Sequence, residues 1–270
     1  MSLVRRGIAL GVPGLALAGA VGAWAQVRRV AVARLPQFPD GDPTGTYGDP
    51  RGATARITVL GDSTITGPGL AHASEVWVAR IAERSPRRVE LRSLARGGSR
   101  VRDVLLEQVP RAVATPTDLF VLAVGANDVM HATPGPAFRR DLDEVLGRLT
   151  RVAPVVTFGI GDLSMVPRLP WSLKPVVARR CAVVDRIHRR VASGRSGVVR
   201  VSVTDLADAH FKAAEVDIWA ADRFHPNHLG HEIWARSFGP SIHRALEAAA
   251  PVVDLRDAAG RHGEVSAPAS

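Results

Sequence analysis

The chain has 270 residues, 46% hydrophobic and 23% charged, with a formal net charge of +9; that suits one globular α/β domain with a sizeable core and needs no second domain. The five arginines of the first 34 residues supply much of the charge, Lys174 and Lys212 are the only lysines, and a single tyrosine and far-apart tryptophans leave no basic-aromatic interleaving, which argues against a nucleic-acid partner. Cys181 is the one cysteine, so an intrachain disulfide is excluded.

Arg5 and Arg6 precede a stretch from Gly7 to Ala25 with no charged residue. Residues 1–34 are therefore expected to be a targeting element. Ala23-Trp24-Ala25 places small residues where a signal peptidase reads, while nineteen uncharged residues at about 1.5 Å each reach roughly 28 Å, the length of a membrane anchor. Either outcome predicts an exported protein of the cell envelope or exterior, with membrane contact through this segment if it is uncleaved. Residues 35–55 hold Pro36, Pro39, Pro43 and Pro50 among Gly and Asp and read as a linker.

A core domain is expected over 56–249, followed by a disordered tail at 250–270. Apolar runs at 56–60, 88–94, 118–124, 153–160 and 198–203 alternate with helical patterns at about 73–84, 101–113, 136–151, 173–192 and 228–249, which predicts a five-stranded, mostly parallel sheet. The third run, Leu119 to Val124, is apolar throughout and reads as a central strand, whereas Val89 and Leu91 alternate with Arg88, Glu90 and Arg92 as at a sheet edge.

The first strand stops at Gly61-Asp62-Ser63. A serine there sits on the carboxyl rim where such sheets bind ligands, so Ser63 is either a nucleophile or the N-cap of the next helix. After the second strand comes Gly97-Gly98, a turn that lets backbone approach a ligand and that also occurs as plain chain reversal. After the third comes Gly125-Ala126-Asn127-Asp128, where Asn127 can donate an amide N–H toward a developing charge or cap its own turn. The loop beyond the fourth strand, 164–174, is a candidate wall of an acyl pocket, with Trp171 its most prominent side chain. Ahead of the last helix stands Asp222-Arg223-Phe224-His225, in which a carboxylate three residues before a histidine can bond the ring's Nδ1–H and free Nε2 to take a proton. Trp219, three residues earlier, either lines the same cleft or anchors the loop. His225, His228 and His231 recur every three residues but lack any His-Glu-x-x-His pattern, and no metal or organic cofactor is expected.

Taken together and in this order, the four blocks resemble those of the SGNH, or GDSL-type, lipase/esterase family, over roughly residues 56–240, and look most like its actinobacterial envelope-associated members. The resemblance implies a flavodoxin-like three-layer α/β/α fold. It also implies a catalytic triad of Ser63, His225 and Asp222, and an oxyanion hole made by the Ser63 N–H, the Gly98 N–H and the Asn127 side chain. One departure is visible: Leu94-Ala95-Arg96 stands where many members carry an Asn, which leaves the bonding of the Gly-Gly turn open. Ile65 follows where a Gly-x-Ser-x-Gly elbow needs its second glycine, so the ordinary α/β-hydrolase pattern is absent. The P-loop and dinucleotide fingerprints are absent as well. The activity expected is hydrolysis of a small-molecule, lipid or sugar ester; the alternatives are acyl transfer to a sugar or lipid acceptor, and a non-catalytic lipid- or carbohydrate-binding module.

Overall fold

The computed structural model describes residues 36–249. The expected targeting element and the expected disordered tail lie outside these residues. Six strands form one sheet in the order β1-β3-β2-β4-β5-β6: β1 Gly45–Gly48, β2 Thr54–Gly61, β3 Arg88–Ser93, β4 Leu119–Ala123, β5 Val155–Phe158 and β6 Val198–Val201. The five expected strands are all present and pair in parallel, and β1 adds a sixth, antiparallel to β3 with Thr46 opposite Glu90 and Tyr47 opposite Val89.

Two expectations are corrected by that extra strand. Part of the stretch read as a linker, 35–55, is built into the sheet, because four residues need no core of their own when a neighbouring strand supplies the hydrogen bonds. The Tyr47 hydroxyl donates to the Pro43 carbonyl at 2.9 Å and holds the approach to β1. Nor is β3 an edge. Arg88, Glu90 and Arg92 are exposed while Val89 and Leu91 are buried, so the alternation reports a strand with one uncovered face rather than a missing neighbour.

Side chains alternate across the strands into two apolar layers. Ile57, Val59, Leu119, Val121, Val156 and Phe158 face α2 (Trp77–Glu83) and α8 (His228–Ala249). There Trp77 meets Phe158 and Phe238 edge-on, with ring centroids 5.0 and 5.5 Å apart. Leu60, Phe120, Leu122 and Val155 face the other way, toward α3 (residues 101–113), α5 (Gly135–Leu149) and α6 (Lys174–Ser193). In α5 the buried residues Phe138, Leu142, Val145, Leu146 and Leu149 recur at helical spacing and make one apolar stripe. The three-layer α/β/α architecture follows, with β2 and β4 side by side at the centre. The chain leaves β2 for β3 on one side and returns to β4 on the other, so the crevice beyond their carboxyl ends is the topological switch point at which ligands bind in open α/β sheets.

The layer of α2 and α8 is fastened by ion pairs around Glu232. Its carboxylate accepts from Arg80 at 2.8 Å, from Arg84 at 2.7 Å and from Arg236, one turn further along α8, at 2.7 Å. Burial alone would raise this carboxyl; the bonds from Arg236, Arg84 and Arg80 outweigh it and bring it down from 4.5 to about 2. A depressed folded value means that the stabilisation is complete above the ordinary range and is lost as pH falls toward the folded one. Glu232→Gln is expected to lower the unfolding free energy by about 1 kcal/mol or more at pH 7. In urea titrations the gap between variant and wild type should stay constant down to about pH 4.5 and narrow below it.

Candidate active site

Strand β2 ends at Gly61, whose φ of +150° lies outside the range side chains favour, and a Cβ added there would run into the Ala123 carbonyl of β4. The Asp62 N–H donates to that same carbonyl at 3.2 Å. The chain then turns into the short helix α1 (Ser63–Thr66), with Ser63 as its first residue. The N-cap is Asp62 rather than Ser63: its Oδ1 accepts from the Thr64 N–H at 3.0 Å. That leaves the Ser63 hydroxyl free of the capping duty a sequence reading also allowed it. Asp62 is wholly buried, and burial pushes its carboxyl up to about 6 against the Thr64 and Asn127 hydrogen bonds that pull it down.

A residue that sequence reasoning missed holds this turn in place. Gln108 belongs to a π-helical segment, Val104–Gln108, inside α3. The wide turn lies against Pro110, which has no N–H for an ordinary helical bond. The buried Gln108 amide accepts from the Gly61 N–H and donates to the Gly61 carbonyl, both at 2.9 Å, and its Nε2 also reaches Ser99 Oγ at 3.3 Å. The signal was a lone amide in an apolar helical pattern.

Ser99 follows the Gly97-Gly98 turn. Gly98 has φ +76° and is the residue at which that turn needs a glycine. From the end of β4, Asn127 Nδ2 donates to the Ser99 carbonyl at 3.2 Å and to Asp62 Oδ2 at 3.3 Å. Three strand ends are thereby tied together, those of β2, β3 and β4. Among the described residues, no hydrogen bond occupies the N–H of Ser63 or of Gly98. Neighbouring Asp128 is fully buried and accepts from the Val101 N–H at 2.9 Å, a tie to the start of α3.

The fourth block is a tight loop, Asp222 to Asn227. Asp222 Oδ2 lies 2.6 Å from His225 Nδ1, and Oδ1 accepts the backbone N–H groups of Phe224 and His225 at 2.9 and 3.0 Å. Burial works to raise the Asp222 carboxyl, but the His225 ring and these two N–H groups outweigh it and hold the carboxyl below its ordinary value. Arg223 carries the turn at φ +56°, unusual for a residue with a side chain. Its carbonyl accepts from the Arg168 N–H at 2.9 Å, which fastens the loop after β5 to this one. Asn227 caps α8 through its Oδ1 on the Leu229 N–H at 2.9 Å. His231 is buried inside α8, pushed down to about 3 by burial, and accepts the Trp77 N–H at 3.2 Å on Nδ1. His228 is exposed, and no three His, Cys, Asp or Glu side chains among the described residues are grouped to hold a metal ion.

Ser63 and His225 line one cavity of about 130 Å³ that extends under the sheet toward α8. Its wall carries a group of aromatic side chains, Trp77, Phe158, Phe211, Trp219, Phe224, Trp234 and Phe238, among aliphatic and backbone contributions. Trp219 therefore lies on the wall, packed edge-on against Phe211 at 6.0 Å. Trp171 does not: it is 75% exposed and absent from the lining, which corrects its expected place there. The loop after β5 does contribute, through Leu163, Met165 and Val166. The 3-10 turn Leu163–Met165, capped by Asp162, turns that end inward, and Trp171 lies beyond it. Gly98 and Asn127 are not part of the cavity wall; Asn127 reaches it only through Asp62, which lines the cavity, and bonds Ser99 behind it.

The sequence pattern of the GDSL-like Lipase/Acylhydrolase family matches residues 59–233. The GDSL-like esterase Rv1075c of Mycobacterium tuberculosis (strain ATCC 25618 / H37Rv) is 31% identical over 177 residues, covering 63% of this chain and 56% of the relative. The match thus spans little more than half the relative's length. Among solved structures, a member of the lipolytic protein G-D-S-L family from Veillonella parvula DSM 2008 aligns with a TM-score of 0.60 at 15% identity, over 71% of this chain and 100% of that one. A catalytic mutant of Axe2, an acetylxylan esterase from Geobacillus stearothermophilus, aligns at 0.57 and 16%, over 71% and 95%. At these identities the structural likeness speaks for the fold. The family pattern covers well over half of the chain and includes all four blocks at the sheet's carboxyl rim: the chain belongs to the GDSL-like lipase/acylhydrolase family.

Proposed function

We propose that the protein hydrolyses carboxylic esters through Ser63, His225 and Asp222. The observation that carries this reading is the 2.6 Å contact between Asp222 and His225 Nδ1, made by a histidine that shares a cavity wall with Ser63. A carboxylate on Nδ1 fixes the tautomer that leaves Nε2 as the base. Nε2 takes the Ser63 proton as Oγ attacks the acyl carbonyl and returns it to the departing alcohol. Water then repeats the sequence on the acyl-enzyme. The tetrahedral oxyanion is received by the N–H groups of Ser63 and Gly98, which have no acceptor among the described residues, and by Asn127 Nδ2 as it gives up its 3.3 Å contact with Asp62. The aromatic cavity takes the acyl group, and its wall favours an apolar chain. The segment 1–34 would export the protein or tether it to the envelope.

Intact-mass measurement after treatment with an organophosphonate tests the chemistry. One adduct is expected on the wild type and none on Ser63→Ala, with labelling of His225→Ala slowed by at least about 1,000-fold. A folded wild type that takes no adduct would reverse the proposal in favour of a binding module.

Acyl preference tests the cavity. Trp219→Ala should raise kcat/KM for longer p-nitrophenyl esters relative to the acetate by about tenfold. Trp171→Ala should leave the profile unchanged, and the opposite pattern would put the acyl group on the exposed loop.

A further inference from the structure

Asp40 lies outside the matched family region, in the stretch that sequence composition marks as a linker, and yet its carboxylate joins two parts of the site. Oδ1 accepts from Thr66 Oγ1 at 2.7 Å, at the end of the helix that Ser63 begins. Oδ2 accepts from the Gly97 N–H at 2.8 Å, in the turn that carries Gly98. The approach is close enough that a Cβ on Gly97 would collide with the Asp40 carboxylate. Its neighbours hold the segment in register: the Gly41 N–H donates to the Thr66 carbonyl at 2.9 Å, and the Phe38 ring packs over Gly69, whose added Cβ would lie 3.0 Å from that ring and 2.9 Å from Ala220.

We infer that Asp40 is a positioning residue that sets the Gly98 N–H relative to Ser63. This rests on the proposed role of Gly98 in receiving the oxyanion. The Ser99 N–H donates to the Arg96 carbonyl within the turn, and the Arg96 N–H ties the turn's start to the Gly61 carbonyl, both at 3.2 Å, which leaves Gly97 and Gly98 themselves without a backbone partner among the described residues. The turn is therefore clamped from outside. Ahead of the Gly97–Gly98 peptide the Gly61 carbonyl holds Arg96 and Asp40 holds Gly97, while Gln108 and Asn127 hold Ser99 behind it. A carboxylate beside a developing oxyanion repels it, so the contribution of Asp40 is geometric and survives neutralisation. In Asp40→Asn the side-chain amide would still accept the Gly97 N–H on its oxygen and donate from its nitrogen to the Thr66 hydroxyl, which serves equally as acceptor.

The test is steady-state turnover of a p-nitrophenyl ester by the full chain, with amide exchange read at Gly97 and Gly98. Asp40→Ala is expected to lower kcat about tenfold or more, less than the roughly 100-fold or greater loss of a whole oxyanion donor, with KM within about twofold. Asp40→Asn is expected to recover kcat to within about threefold of wild type. Exchange at Gly97 should quicken in Asp40→Ala and stay slow in Asp40→Asn. Wild-type turnover and exchange retained by Asp40→Ala would overturn this inference alone, and an asparagine variant as slow as the alanine one would overturn its geometric basis. A wild type with neither turnover nor a phosphonate adduct would overturn the hydrolase reading and this inference with it.

Discussion

The tight contact between the ends of β2 and β4 is the constraint on which the site depends. Where a side chain at residue 61 would sit, the Ala123 carbonyl already lies, and that carbonyl takes the next N–H, from Asp62. The pairing therefore continues to the last possible residue and the chain must leave the sheet at once. Ser63 emerges at the rim of the central crevice, with the β4 loop and Asn127 beside it. Gln108 completes the arrangement where strand pairing ends: its amide accepts the Gly61 N–H and shares the Gly61 carbonyl with the Arg96 N–H, which donates to it at 3.2 Å. An apolar residue there would leave the Gly61 N–H buried and unpaired, at about 1–3 kcal/mol.

Two carboxylates close to the candidate chemistry illustrate how donors, not proximity alone, decide ionisation. Asp62 and Asp222 are both buried. Asp222 receives a ring N–H and two backbone N–H groups at 3.0 Å or less, which keep it ionised and fit to orient a histidine. Asp62 has the Thr64 N–H at 3.0 Å and a longer 3.3 Å contact from Asn127, and burial prevails. On the proposed mechanism the firmly ionised carboxylate stands where an imidazolium forms, and Asp62, raised to about 6, is the more readily protonated of the two.

How much of this the sequence carried depends on the range over which each signal acts. The five parallel strands were legible because each is a contiguous apolar run, and the blocks at their ends were legible because they are short. The helix read over 73–84 is broken at Val76, whose ψ of 136° separates a 3-10 turn from α2, a local choice that periodicity does not resolve. β1 and Asp40 were hidden for a different reason. A Pro- and Gly-rich composition says that a segment cannot fold by itself, and nothing in it reveals that a neighbour will supply the partners. The cavity was illegible because its aromatic side chains come from separate parts of the chain: Trp77, Phe158, Phe211, Trp219, Phe224, and α8 with Trp234 and Phe238. Between two loop tryptophans, sequence offered no means of telling that Trp219 would turn inward and Trp171 outward.

These placements also bear on why the site is held from so many sides. Arg223 adopts a left-handed conformation, and among the described residues the N–H groups of Ser63 and Gly98 have no acceptor. A chain free to relax would trade such features for ordinary turns and bonds, since each left-handed non-glycine residue costs on the order of 1–3 kcal/mol. They persist because each loop is fixed through a contact with another: Asp40 to Gly97, Asn127 to Ser99 and Asp62, Arg168 to Arg223. Donors held open before substrate arrives need no reorganisation as charge develops on the carbonyl oxygen, which is the condition under which hydrogen bonds lower a barrier rather than merely bind a ground state. The cross-ties are therefore as much a part of the proposed chemistry as the three residues that would carry it out.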